Sequence, residues 1–84
     1  MPLRLLIADD ERLFRQSLRF LLETVGDIKV VAEAADGHEA VVMARETQPN
    51  IALLDVDMPK MDGIKAAKLI SQTAPATKIL MLSC

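Results

Sequence analysis

Four short apolar runs alternate with three stretches patterned for helices, and that alternation restricts the fold of this chain more than any other feature. The runs are Leu3 to Ala8, Ile28 to Ala34, Asn50 to Leu54 and Lys78 to Leu82. Short apolar runs closed by turn or charged residues read as buried strands of a parallel sheet. After the first, Phe14, Leu18, Leu21, Leu22 and Val25 recur at helical spacing and predict an amphipathic helix with this face inward, stopped by Gly26. After the second, Asp36-Gly37-His38-Glu39 has the form of a capping box and opens a helix with Ala40, Val41 and Ala44 inward, closed by Pro49. After the third, Asp62-Gly63 starts a helix with Ile64, Ala67 and Ile70 inward, and Pro75 marks its end.

A βαβαβαβ order calls for a parallel sheet with right-handed crossovers. Helices on both faces require one reversal of winding, and the strands flanking that reversal leave a crevice at their carboxyl ends. Two runs end in acids at that end of the sheet. The first runs into Asp9-Asp10-Glu11, and the third into Leu53-Leu54-Asp55-Val56-Asp57-Met58-Pro59. If strands 1 and 3 flank the reversal they lie ~4.8 Å apart, and Asp9, Asp10 and Asp55 share one pocket.

Composition narrows the function classes. The 84 residues make one small domain, near the size at which a single core is only just sufficient, and 51% hydrophobic residues rule out a disordered chain. A net charge of −2, two Phe and no Trp or Tyr argue against a nucleic-acid surface on these residues. The lone Cys84 excludes an internal disulfide and a cysteine metal cluster, and suits a reducing cytoplasm. Leu5 to Ala8 is far too short for a signal segment or a membrane span. The chain is expected to be soluble and cytoplasmic.

Three clustered carboxylates repel one another and need either raised pKa values or a bound cation. Oxygen ligands without His or Cys favour Mg²⁺, which commonly takes phosphate oxygens as further ligands. Such a cation makes Asp55 usable as a nucleophile towards a phosphoryl group. Ser83, at the end of the fourth run, is placed to donate a hydroxyl to a phosphoryl oxygen.

The chain resembles the receiver domain of two-component response regulators. The resemblance is carried by Ile7-Ala8-Asp9-Asp10-Glu11, by Leu54-Asp55-Val56-Asp57-Met58-Pro59-Lys60-Met61-Asp62-Gly63, and by Leu80-Met81-Leu82-Ser83. With Arg15 and Val31-Ala32-Glu33-Ala34 before Asp36-Gly37, it looks most like the LuxR/NarL/FixJ-type transcriptional regulators. The resemblance implies a flavodoxin-like (CheY-like) doubly wound α/β sheet of strand order 2-1-3-4. It implies Asp55 as phospho-acceptor from a sensor histidine kinase, with no enzyme activity beyond that self-catalysed phosphorylation. It implies Mg²⁺ held by Asp10 and Asp55, by Asp9 largely through water, and by the backbone carbonyl of Asp57. Ser83 is the implied switch hydroxyl, and DNA is reached only through an output domain outside this chain.

Receivers continue with a fourth helix, a fifth strand ending in a lysine that meets the phosphoryl group, and a fifth helix. Residues 1–84 are therefore expected to be the N-terminal part of a receiver, truncated after the fourth strand. Lys78, at the far end of its strand, and Lys60, in the loop after Asp55, do not replace that lysine. An unpaired fourth strand is a pairing hazard, so a homodimer or element swap through that edge is expected. Two alternatives stand beside the receiver reading. One is a non-switching interaction module. The other is a haloacid-dehalogenase-like phosphatase fragment, which Asp55-Val56-Asp57 with Ser83 resembles, although that signature belongs on a first strand and here Asp9-Asp10 occupies it.

Plainer roles compete at several positions. Asp10 can be a helix cap, Asp62 an N-cap, and His38 an exposed first-turn residue. Met58 and Met61 suit packing, and Arg12, Arg15 and Arg19 a solvated helix face.

Overall fold

The computed structural model describes residues 1–82; Ser83 and Cys84, and the role expected of Ser83, lie outside the described residues. Seven elements follow in the order read from the sequence. They are β1 (Leu3–Ala8), α1 (Arg12–Thr24), β2 (Ile28–Ala34), α2 (Gly37–Thr47), β3 (Ile51–Asp55), α3 (Gly63–Thr73) and β4 (Lys78–Leu82). All neighbouring strands pair in parallel, in the order β2-β1-β3-β4. The chain steps from β1 to β2 in one direction, then crosses β1 to reach β3 and β4 in the other. Right-handed crossovers put helices of opposite steps on opposite faces. Hence α1 lies on one face, while α2 and α3 lie on the other.

Each face has its own core. Under α2 and α3 lie Leu6, Ala8, Ala34, Ala52 and Leu54, met by Ala66 and Ile70 of α3 and by Met58 from the loop after β3. Under α1 lie Leu5, Ile7, Val30 and Leu53. Leu6, Ile7, Leu54 and Ile70 are fully enclosed, each contributing roughly 1.5–3 kcal/mol by burial. Strand ends are held by polar clamps. Asn50 Oδ1 accepts from the Arg4 amide at 2.8 Å, and the Asn50 carbonyl accepts from the Lys78 amide at 2.9 Å. The Arg4 guanidinium donates to the carbonyls of Thr47 at 2.7 Å and Gln48 at 2.9 Å, closing the end of α2.

Two helix faces differ from the sequence expectation. On α1 only Leu18 and Leu22 pack against the sheet; Phe14, Leu21 and Val25 are exposed. The helix sits over β1 and β2, so the line Arg15–Leu18–Leu22 meets the sheet. The Phe14–Leu21–Val25 line is rotated away from that contact. On α3 the buried line is Gly63–Ala66–Ile70, and Ile64 is exposed, one residue off the i, i+3, i+7 stripe. Small residues take that stripe because the helix start approaches closely: a Cβ on Gly63 would stand 2.1 Å from the Asp55 carbonyl oxygen. Gly26 follows α1 with φ +118°, as its stop position requires.

Candidate metal and phosphoryl site

The ladder between β1 and β3 runs through Ile7–Leu53 and Ala8–Leu54. One step further along each strand, at the carboxyl end of the sheet, come Asp9 and Asp55. Asp10 follows Asp9 into the turn before α1. One carboxylate oxygen from each of Asp9, Asp10 and Asp55 lies within 4.8 Å of the other two. Asp9 (6% exposed) and Asp55 (7%) are buried, and Asp10 is exposed. The sequence expectation that these three converge is met.

Asp10 does not cap α1: the N-cap position is Glu11, which makes no side-chain capping bond. Asp9 is held instead by local bonds. Its amide donates to the Ala34 carbonyl at 3.0 Å, and its Oδ1 accepts from the Glu11 amide at 2.8 Å. Asp55 Oδ1 accepts from the Asp57 amide at 3.3 Å. Burial pushes the Asp55 carboxyl above the ordinary range; the Asp57 amide works against this, and the charges of Asp9, Asp10 and Asp57 add to it. The Asp57 side chain points outward as an exposed group, apart from the three-carboxylate cluster.

The loop between Asp55 and α3 is pinned on several sides. The Gly63 amide donates to the Val56 carbonyl at 2.9 Å, and the Val56 amide to the Leu82 carbonyl at 3.3 Å. Lys60 takes a left-handed backbone, φ +67°, and its Nζ lies 3.7 Å from Asp36 Oδ2. Asp36 is itself the N-cap of α2, accepting from the Glu39 amide at 2.8 Å. The reciprocal half of the capping box reaches one residue further back than its usual target, Glu39 Oε1 accepting from the Ala35 amide at 2.9 Å. Asp62 caps α3 through the Lys65 amide at 2.9 Å, His38 is exposed, and Met58 is core, all as the plainer readings had it.

With Lys60 engaged elsewhere, no arginine or lysine among the described residues pairs with the carboxylate of Asp9, Asp10 or Asp55. The donor set is all oxygen and uncompensated. The three oxygens lie within 4.8 Å of one another, on the scale of the ~4.2 Å across an octahedral shell of ~2.1 Å bonds. These residues fit a small hard divalent cation.

One neighbour of the site escaped the sequence reading. Arg15, assigned there to a solvated face, is 12% exposed in its side chain, and its Nη1 donates to the Asp9 carbonyl at 2.6 Å. The signal was available: Arg15 stands three and seven residues before Leu18 and Leu22, on the sheet-facing line of α1.

A family model for the response regulator receiver domain matches residues 5–84. The chain is 46% identical over 81 residues to an uncharacterized transcriptional regulatory protein, YhcZ, of Bacillus subtilis, covering 96% of this chain and 38% of that protein. Among solved structures it is similar to the response regulator domain of Thermotoga maritima CheB, with TM-score 0.94 and 38% identity. That match covers 99% of this chain and 61% of the other. It is also similar to a LuxR-family two-component response regulator from Aurantimonas, with TM-score 0.92 and 37% identity, covering 99% of this chain and 59% of the other. The chain thus spans less than half the length of that curated relative and about three-fifths of these solved chains.

Proposed function

The chain belongs to the response regulator receiver domain family, and on that premise we propose that it is the phospho-accepting receiver part of a two-component signalling protein. Asp55 is the acceptor. Asp10 and Asp55 would hold Mg²⁺ directly, Asp9 largely through water, and the Asp57 carbonyl would be a further ligand. Ser83 is the switch hydroxyl, and a sensor histidine kinase is the phosphodonor. The observation that carries this reading is the convergence of three carboxylates with no cationic partner among the described residues, the acceptor candidate among them being buried.

In the transfer, an Asp55 carboxylate oxygen attacks the phosphorus of a phosphohistidine. The P–N bond breaks, and the imidazole nitrogen leaves with the electron pair and takes a proton. Mg²⁺, when bound, would supply charge that offsets repulsion between the carboxylates and the incoming phosphoryl oxygens. The chain's own part is to hold Asp55 at the end of β3, with the Asp57 amide on Oδ1 leaving the second oxygen for attack. Asp9 and Asp10 lie beside it, and the burial of Asp55 limits water around the product. In a full-length protein with a DNA-binding output domain, as in the LuxR-type regulators, this step would regulate transcription.

The test is incubation with a small phosphodonor such as acetyl phosphate and Mg²⁺, followed by intact mass. A single phosphoryl adduct that disappears in Asp55→Asn and with chelator supports the reading; no adduct with any donor favours the second one. That second reading, an association module without the switch, is favoured by Leu80 (53% exposed) and Met81 on β4, the outer strand of the sheet among the described residues. Its partner would be a second copy joined through that edge, as a homodimer or by exchange of an element.

A further inference from the structure

The polar side chain held most closely against the acid cluster comes from α1, which supplies none of the acids. Arg15 Nη1 donates to the Asp9 carbonyl at 2.6 Å, and Arg15 Nε lies 3.4 Å from Glu33 Oε1 on β2. Glu33 Oε2 accepts from Arg19 Nη1 at 2.9 Å, and Arg19 Nε lies 3.5 Å from Glu23 Oε1. Glu23 Oε2 in turn accepts from the Val30 amide at 2.9 Å, beside the register shift where β2 bulges against β1. A continuous polar chain therefore joins the edge of the sheet to the peptide that links Asp9 and Asp10.

That peptide matters because its plane sets the direction of both side chains that it joins. On its Asp9 side the backbone amide is fixed by Ala34 and the carboxylate by the Glu11 amide. The carbonyl is the remaining handle, and Arg15 holds it with a charge-assisted bond. The arrangement also solves an electrostatic problem. A guanidinium on the carboxylates themselves would occupy the place of a cation. Here Glu33 holds Arg15 and takes up its charge, leaving it on the carbonyl side.

We propose that Arg15 is a positioning residue for the cation site: through the Asp9 carbonyl it preorganises Asp9 and Asp10, and Glu33 keeps it off their carboxylates. This inference rests on the reading of the cluster as a Mg²⁺ site. Groups that hold metal-ligating residues in place typically change affinity 10–100-fold when removed. Arg15→Ala is expected to weaken Mg²⁺ binding by about 10-fold. Arg15→Lys, which keeps a donor for the carbonyl but loses the fork to Glu33, is expected to recover part of that loss. Glu33→Gln frees Arg15 to meet the carboxylates and also weakens Mg²⁺. Arg19→Ala breaks the same helix–strand ion pairing without touching Asp9 and is expected to leave Mg²⁺ affinity within about two-fold, as a merely stabilising bond would.

The measurement is Mg²⁺ titration of each purified chain by calorimetry, with amide NMR shifts of Asp9 and Asp10 in the metal-free state. Metal-free shifts at these two amides that move in Arg15→Ala and not in Arg19→Ala support the proposal together with the affinity order. Mg²⁺ affinity equal to wild type in folded Arg15→Ala overturns it, as does an equal loss in Arg19→Ala. If Arg15→Ala does not fold, wild-type affinity in both Arg15→Lys and Glu33→Gln overturns it. Absence of Mg²⁺ binding by the wild-type chain removes the functional reading and this inference together. Wild-type binding that is indifferent to Arg15 removes this inference alone.

Discussion

Asp57 donates its amide to Oδ1 of Asp55 at 3.3 Å, while the carboxylates of Asp9 and Asp10 press on the same group from the other strand. Ionised Asp55 therefore carries a cost in the metal-free fold, because burial raises its pKa more than that single bond lowers it. A carboxyl whose pKa is raised on folding binds protons more tightly in the folded state, so its stability contribution falls as pH rises from the ordinary aspartate range to the raised value. Asp55→Asn is therefore expected to have a higher Tm than wild type without metal at neutral pH. The gap should close as pH falls towards about 4. Thermal melts across pH in chelator check this; a gap that does not depend on pH would contradict the assignment of strain to Asp55 ionisation.

Mg²⁺ bound at the proposed site should remove the same penalty by binding the folded state. At about 100-fold excess over Kd it should add about 2.7 kcal/mol, and a domain this size gains roughly 4–8 °C per kcal/mol. The gain should vanish with EDTA and be largely absent in Asp10→Asn. A melt indifferent to Mg²⁺ in the wild-type chain would argue against the cation site.

Gly63 is where α3 meets the end of β3. A methyl there would overlap the Asp55 carbonyl, at 2.1 Å, so the backbone of one must move. Gly63→Ala is expected to cost about 1–3 kcal/mol and, by shifting Asp55, to weaken Mg²⁺ as well. Denaturant unfolding and Mg²⁺ titration of one sample read both effects.

Asp36 combines the N-cap of α2 with the Lys60 pair. Asp36→Ala should cost about 1 kcal/mol from the lost cap. The exposed Lys60 pair adds little to that. Lys60→Ala alone should leave the Tm nearly unchanged, which a paired melt tests.

Leu80 faces outward in the row Ile7–Leu53–Leu80, where exposure rises steadily towards the β4 edge. The chain is expected to associate with rising concentration, and Leu80→Lys to shift it towards monomer, since a lysine on an edge strand opposes pairing. Light scattering over a concentration series decides this; a wild-type chain that stays monomeric at the top of the series would count against it.

Much of this molecule is local and was legible without coordinates. Short apolar runs and period-3.6 apolar spacing placed all seven elements, and Gly26, Pro49 and Pro75 marked where the helices stop. The motif spacing picked out Asp9, Asp10 and Asp55, because acids at the carboxyl ends of parallel strands sit where such sheets leave a crevice. Strand pairing supplied the rest. Only the β1–β3 register sets Asp9 beside Asp55, and only the lateral position of α1 over β1 and β2 decides which of its residues meet protein. Helical spacing leaves that rotation open: Phe14, Leu21 and Val25 satisfy the same periodicity as Leu18 and Leu22, yet lie off the contact line. Residue type misassigned Arg15 for a related reason. An arginine on a helix is usually solvated, and here the carbonyl of Asp9, just after β1, and the carboxylate of Glu33 on β2 enclose it, groups that only the fold brings to its side chain.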